Sequence, residues 1–262
     1  GYTWALYADY EIYKAGVDGS NPVKLTDIKG YDAEATISPK GDKIIFTSTR
    51  NGDIDLYSMN LDGSDVKQLT DIAGYDGGAY YSYDGSMIVF RAYRFNDPAK
   101  LKEYRDLLAE GLIRPGMLEI YVMNADGSNV KTLSEFSAPG LVQSSGYVSF
   151  SQSSNTFYFI NQASNQANIL SYPGDKIGQN VAPSTIPVPT FSSDEYVAQF
   201  DSQTLIGQHE FEIDFVDSKT GAVKSKYGQI GTPVGALTMR GGFTLSAAQT
   251  EDKYEHILGL SS

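Results

Sequence analysis

The sequence predicts an all-β chain of four-stranded antiparallel repeats, and three observations predict it. First, a segment recurs: Tyr-Asp stands at Tyr31-Asp32 and Tyr75-Asp76, Leu-Thr-Asp at Leu25 and Leu69, and Asp-Gly-Ser at Asp18, Asp62 and Asp126. The first two Asp-Gly-Ser turns are 44 residues apart, and a period of that length marks stacked structural units. Second, 26 glycines, 19 tyrosines and 12 phenylalanines, with few long helical patterns, favour strands and tight turns. Third, each repeat holds four short strand-like runs separated by turn residues, which is the make-up of a β-propeller blade.

Residues 28–71 give the repeat in full. Ala33 to Ile37 reads as a first strand, and Ser38-Pro39-Lys40-Gly41 as its turn. The apolar run from Lys43 to Thr47 reads as a strand buried on both faces. Asn51-Gly52 turns the chain again, Asp55 to Met59 forms the third strand, Asp62-Gly63 turns, and Val66 to Leu69 returns as the fourth. Residues 1–27 carry part of a unit: Trp4 to Ala8, Glu11 to Lys14, the Asp18-Gly19 turn and Val23 to Leu25.

Residues 72–135 repeat the unit with an insertion, because Asp62 and Asp126 are 64 residues apart rather than 44. The extra residues fall between Arg94 and Ile120, and about 97–110 reads as a helix. Asp97 is a natural N-cap, Pro98 fits the first helical position and Gly111 fits the C-terminal cap. Leu101, Tyr104 and Leu108 share one stripe, expected to lie against the blade tops. Beyond residue 136 only the strand rhythm persists, as in Thr156 to Ile160, Tyr196 to Phe200 and Glu212 to Val216, with a turn at Lys219-Thr220-Gly221. The expected architecture is a single propeller domain over 1–262, with blades near 1–27, 28–71, 72–135, 136–180, 181–228 and 229–262. Six blades are expected; five follow if the two terminal sets share strands to close the ring and remove its open edges.

Asp32, Ser38-Pro39, Gly41, Ile44, Phe46, Ser48, Arg50, Gly52, Leu56-Tyr57, Met59-Asn60 and Asp62-Gly63-Ser64 together make a motif. It resembles the WD-like propeller repeat of TolB-type proteins, over residues 10–135. The resemblance implies a bladed propeller, often exported to the bacterial periplasm and used as a platform for protein partners. Relatives also occur as the non-catalytic propeller of prolyl-oligopeptidase-type peptidases.

The net charge of −12 offers no basic footprint for phosphates, so nucleic acid is excluded as a partner, and an anionic membrane surface is disfavoured. No apolar run reaches membrane-spanning length. The absence of cysteine removes disulfides, zinc–thiolate sites and thiol nucleophiles. No signal peptide opens the chain, and it starts without Met, as a processed bacterial protein of the periplasm or exterior would. Only His209 and His256 are present, too few for a polyhistidine metal site, and no Gly-x-Ser-x-Gly elbow precedes them. The Asp-Gly-Ser turns lack the rest of a calcium loop and read as hairpin turns. No resident cofactor or metal is expected, with a calcium ion in the channel as the alternative.

Asp32 and Asp76 open the innermost strands of their repeats, and Arg50 and Arg94 follow the second strands. As a site, Asp32, Arg50, Asp76 and Arg94 would line one mouth of the channel and bind a ligand or partner. As structure, each Asp would cap its loop and each Arg would pair with an acid between blades. Their recurrence favours structure, since blade-building residues must repeat and a binding site need not. Tyr75, Tyr80, Tyr81, Tyr83, Tyr93 and Tyr104 cluster in one blade, as core or as an aromatic platform. The insertion breaks the repeat and carries Lys100, Lys102, Arg105 and Arg114 within an acidic protein, and surplus loops on a rigid scaffold commonly carry function. Lys100, Tyr104, Arg105 and Arg114 are therefore the expected partner-binding residues.

The expected function is a non-enzymatic binding scaffold for a protein, cell-envelope, glycan or peptide partner. Two alternatives stand beside it. One is a hydrolase or lyase acting on a glycan or peptide at the channel mouth, with Asp32 and Asp76 as a carboxylate pair. The other is the non-catalytic module of a larger peptidase.

Overall fold

The computed structural model describes residues 2–114, 116, 118–132, 149–150, 154–161, 168–176, 184–187, 196–201, 203–209, 212–227, 232–239, 243–250 and 253–260. The chain divides into two compact units: Gly1–Tyr81 with Gly85–Thr132, and Ser82–Asp84 with Leu133–Ser262.

The first unit opens with three short strands, β1 (Trp4–Ala5), β2 (Tyr13–Lys14) and β3 (Val23–Lys24). A complete antiparallel sheet follows in the order β4 (Asp32–Ile37), β5 (Lys43–Ser48), β6 (Asp55–Asn60) and β7 (Lys67–Gln68). The apolar run of β5 is buried on both faces, with Ile45 and Phe46 fully enclosed. The Ser-Pro-Lys-Gly turn closes on Ser38, whose hydroxyl donates to Asp42 at 2.5 Å and accepts from the Lys43 amide at 3.2 Å. Gly41 sits there at φ 68°, a left-handed angle that glycine adopts without strain. In the Asp-Gly-Ser turn, Asp62 Oδ1 accepts from both the amide (2.9 Å) and the hydroxyl (2.6 Å) of Ser64. The turns at Asp126 and Asp18 use the same amide contact. These carboxylates fasten hairpin turns, as expected.

The second complete sheet is built from β8 (Gly74–Tyr81), β9 (Met87–Arg94), β11 (Glu119–Asn124) and β12 (Lys131–Thr132). Between β9 and β11 lie helix α1 (Pro98–Ala109) and β10 (Leu112–Ile113). The helix boundaries follow the cap residues. Asp97 Oδ1 accepts from the Ala99 amide at 2.8 Å, Pro98 takes the first turn, and Gly111 leaves at φ 71°. The stripe Leu101, Tyr104 and Leu108 packs with Ile54, Ile113, Leu6, Tyr93 and Phe95, as the helical spacing requires.

The N-terminal segment does not form one sheet. β1 pairs antiparallel with β10, Trp4 opposite Ile113 and Ala5 opposite Leu112, so it belongs with the insertion. β2 and β3 form a separate two-stranded sheet that repeats the outer half of the complete one. The Ile12 amide donates to Thr26 Oγ1 at 2.9 Å, as the Leu56 amide does to Thr70 Oγ1 at 2.9 Å. Ile12 then packs with Ile44, Phe46, Tyr57 and Met59 of the neighbouring sheet.

Among the described residues, the second unit holds two four-stranded antiparallel sheets and one of three strands. The first comprises β13 (Ser149–Phe150), β14 (Thr156–Asn161), β15 (Asn168–Pro173) and β16 (Ser184–Pro187). The next comprises β17 (Tyr196–Asp201), β18 (Thr204–His209), β19 (Glu212–Asp217) and β20 (Val223–Tyr227). The last comprises β21 (Thr232–Met239), β22 (Phe243–Thr250) and β23 (Lys253–Leu260). Asp217 Oδ1 takes the amides of Lys219 (3.0 Å) and Thr220 (2.9 Å) in the expected turn, which holds its carboxyl down at about 2. His209 and His256 fall in β18 and β23; what their side chains touch lies outside the described residues. Among the described residues, no helix is long and apolar enough to cross a membrane.

Candidate binding face

The two Asp–Arg pairs form within sheets rather than between them. Asp32, wholly enclosed, receives Arg50 Nη2 at 3.0 Å, while Arg50 Nε bonds Ser48 Oγ at 2.9 Å. The same guanidinium lies over Tyr57 at 4.8 Å and Phe46 at 5.0 Å. Asp76, equally enclosed, meets Arg94 Nη2 at 2.5 Å, and Arg94 lies over Tyr121 at 5.2 Å. Each pair ties the first strand of a sheet to the end of the second, with the arginine held on an aromatic of the third. Geometry joins Asp32 to Arg50 and Asp76 to Arg94. No contact links the two pairs among the described residues.

Asp76 differs from an ordinary aspartate. Burial pushes its carboxyl up to about 7, beyond what Arg94 offsets, and nearby Asp55 adds to the rise. Asp55 is itself raised, chiefly by burial, though Asn51, Gln68 and Thr70 all bond to it. In the half-sheet β2–β3, Glu11 takes the place of Asp55 and Lys24 that of Gln68, and these form an ion pair at 3.1 Å.

A junction that sequence reasoning missed joins the two complete sheets through Glu34. This residue sits at φ 55° in a bulge of β4, a left-handed angle rare for a residue with a side chain. Its carboxylate accepts from the Gly78 amide at 2.9 Å, the Thr47 hydroxyl at 3.0 Å and the Tyr75 hydroxyl at 3.2 Å, with Arg91 at 3.9 Å. Gly78 occupies the matching bulge of β8 at φ 59°, where an added Cβ would lie 2.6 Å from the Arg91 guanidinium. The one sequence signal was the Gly-Gly pair opposite Ala33-Glu34 in the repeat.

The insertion is clamped by Tyr104. Its ring is buried, and its hydroxyl lies 2.5 Å from Asp53 Oδ1 and 3.0 Å from the Gly74 carbonyl oxygen. Phe95 and Tyr93 flank the ring, with centroids 5.0 and 6.0 Å away. Burial and the Asp53 carboxylate push the hydroxyl far above its usual range, so it stays protonated. Tyr104 thus anchors the helix and is not part of its outer surface. Lys100 and Arg105 are exposed on that surface. Arg114 pairs with Glu103, and Lys102 with Asp106 at 2.6 Å. Of the tyrosine cluster, Tyr81 and Tyr104 are buried, Tyr75, Tyr80 and Tyr93 are half-buried, and Tyr83 is exposed. Among the described residues, the other exposed aromatics lie at the N-terminus: Tyr2, Trp4, Tyr7, Tyr10 and Tyr13.

No family model and no curated protein matches the chain. Solved structures do. TolB from Acinetobacter baumannii superposes with a TM-score of 0.62 at 17% identity, over 93% of this chain and 58% of TolB. An oligogalacturonate lyase in complex with manganese gives 0.56 at 11% identity, over 94% of this chain and 66% of the lyase. A chain of the nidogen/laminin complex gives 0.54 at 12% identity, over 83% of this chain and 72% of that one. The chain therefore spans little more than half of TolB, and at these identities the likeness concerns fold. Four-stranded antiparallel sheets, the recurring turns and these superpositions agree: the chain has a TolB-like β-propeller fold.

Proposed function

We propose that the chain is a non-enzymatic binding scaffold. In this reading it is a six-bladed propeller, exported to the periplasm or exterior of a bacterium, that presents α1 to a protein partner of the cell envelope and needs no cofactor. The observation that carries it is the Tyr104 clamp. A helix that breaks the repeat is fixed to the sheet by a buried hydroxyl bonded to Asp53 and Gly74, with Lys100 and Arg105 left outward. Fixing a helix in advance lowers the entropy lost on binding, and exposed cations steer an acidic partner. Asp32 and Asp76 are enclosed and paired with Arg50 and Arg94, which fits bracing of the blade better than contact with a ligand.

The test is charge reversal on the outer face. Lys100→Glu with Arg105→Glu leaves the buried stripe untouched, so the melting temperature is expected to hold. Capture of a purified envelope partner is expected to weaken by about tenfold or more. Capture that is unchanged at both low and high salt sinks the stated face.

A second reading, a lyase or hydrolase acting on a glycan, draws on the likeness to the oligogalacturonate lyase. It requires substrate to reach a carboxylate. Glu34, exposed on the innermost strand, is better placed for that than Asp32 or Asp76. Turnover of oligogalacturonates by the wild-type chain, lost in Glu34→Gln, would favour this reading.

A further inference from the structure

Two junctions of the first unit repeat one arrangement with one exchange of charge. One lies between the half-sheet β2–β3 and the first complete sheet, the other between the two complete sheets. At each, a threonine hydroxyl bonds an enclosed acid of one sheet, and a second enclosed acid sits in the first strand of the next. Thr26 donates to Glu11 at 2.6 Å and accepts from the Ile12 amide. Thr70 donates to Asp55 at 3.2 Å, accepts from the Leu56 amide and lies within reach of Asp76. Asp32 and Asp76 each hold an arginine, and each leaves one carboxylate oxygen without a partner among the described residues. The exchange is on the fourth strand: Lys24 pairs with Glu11 at 3.1 Å, whereas the neutral Gln68 donates to Asp55 at 3.1 Å.

The enclosed charges therefore balance at one junction and not at the other. Glu11 and Asp32 have Lys24 and Arg50; Asp55 and Asp76 have Arg94 alone among the described residues. Asp76 is faced by Arg94 of β9, by Asp55 of β6, by Thr70, and by Tyr121 of β11, whose hydroxyl bonds Glu119. Around Asp55 stand Asn51, Thr70, Gln68 of β7, Tyr57 and, as further acids, Asp53 and Asp71. None of these supplies a second cation. An uncompensated carboxylate removed from water takes up a proton rather than stay charged. Asp32 has an orphan oxygen too, so the missing cation marks the second junction, not the orphan oxygen.

We propose that the junction between the two complete sheets is a proton-operated latch: Asp76 Oδ2 carries a hydrogen that it donates to Thr70 Oγ1, Thr70 passes its own to Asp55, and release of the proton in alkali loosens β8 from β6. The hydrogen gives the orphan oxygen of Asp76 a partner and leaves one carboxylate for one arginine. Burial, which raises both carboxyls and brings that of Asp76 to about 7, agrees with this. The latch guards the bond from the Asp76 amide to the Ile54 carbonyl at 3.0 Å and the parallel bridge of Ile54 with Tyr75. An acid whose carboxyl is raised by folding stabilises the contact at low pH and ceases to as pH rises. The latch does not depend on the role proposed for α1.

The test is a pH titration of the full chain with isotope-labelled aspartate, followed by carboxyl NMR. Asp55 and Asp76 are expected to move together in one step between about pH 6 and about pH 8, as coupled acids do. Gln68→Lys restores the missing cation at an exposed position, where the half-sheet already carries Lys24, so the fold should persist. It is expected to lower the step by about one pH unit or more. Exchange of the Asp76 amide, corrected for its intrinsic rate, should lose about tenfold in protection from about pH 6 to about pH 8. Asp76→Asn puts a permanent N–H donor in the place of the proton, and that loss should vanish. Four results overturn the proposal. One is that both carboxyls stay ionised across the range. Another is a step that Gln68→Lys leaves in place. A third is amide protection that ignores the step, which leaves no latch. The last is a step that moves with sodium or potassium at constant ionic strength, which would seat a cation there.

Discussion

Tyr104→Phe isolates the bond that fixes the helical insertion. The substitution keeps the ring against Phe95 and Tyr93 and deletes only the hydroxyl shared with Asp53 Oδ1 and the Gly74 carbonyl. A hydrogen bond to a charged group contributes about 1.5–3 kcal/mol. Asp53 keeps the Ile54 amide at 2.9 Å and the Gly74 amide at 3.3 Å, so the loss should fall near the lower end, about 1.5–2 kcal/mol. That energy raises the open population of the insertion by roughly ten- to thirtyfold. Hydrogen exchange of the α1 amides should accelerate by that factor, while the amides of β5 and β6 keep their protection. The effect should be the same from about pH 6 to about pH 9, because the hydroxyl stays protonated throughout. Unchanged α1 exchange in Tyr104→Phe would refute the clamp. Equal acceleration across the whole first unit would show that the bond serves global stability rather than the helix.

Asp76 should make the fold more stable in mild acid. Its carboxyl is raised in the folded chain from 3.8 to about 7, so the folded state holds the proton more tightly than the unfolded one. This contribution is fully present below about pH 4 and lost as pH rises toward 7, by on the order of 4 kcal/mol at most. Urea midpoints from about pH 5 to about pH 8 should fall for the wild type and stay flatter for Asp76→Asn; parallel profiles would contradict the assignment. Glu34→Gly relieves a left-handed angle costing about 1 kcal/mol but deletes three hydrogen bonds. The net loss should be about 1–2 kcal/mol by denaturant titration, and a more stable Gly variant would argue against the junction. Gly78→Ala meets both an unfavourable φ and the Arg91 guanidinium, so it should lower stability by about 1–3 kcal/mol, read the same way.

Local rules made much of the first unit legible. Ser-Pro-x-Gly and Asp-Gly-Ser specify turns through their own hydrogen bonds, and Asp97, Pro98 and Gly111 mark a helix by cap chemistry. The stripe of Leu101, Tyr104 and Leu108 located the buried face. Long-range pairings were not legible. The pairing of β1 with β10 rests on two residues from each strand, far apart in the chain, with no pattern to announce it. The left-handed angle of Glu34 depends on a bulge and on partners in the next sheet, which strand periodicity does not encode. The Asp–Arg pairs were visible as a recurrence. Their closure within a sheet depends on the arginine folding back over Tyr57 or Tyr121, which only the packed structure reveals. Tyr104 stands both on the expected buried stripe and among the expected partner-binding residues; the Asp53 carboxylate beneath it gives the hydroxyl a buried partner, which fits the stripe.

The central claim is that a rigid helix on a propeller scaffold meets a partner. Site-specific photo-crosslinking in intact cells tests it most directly, with the reactive group placed in turn at Lys100, at Arg105 and, as control, at the Asp62 turn. The account predicts one discrete adduct from Lys100 and Arg105, absent from Asp62 and lost in Tyr104→Phe in proportion to the loosening of α1. Adducts from Asp62 alone, or none from the helix in a folded and exported chain, would contradict it.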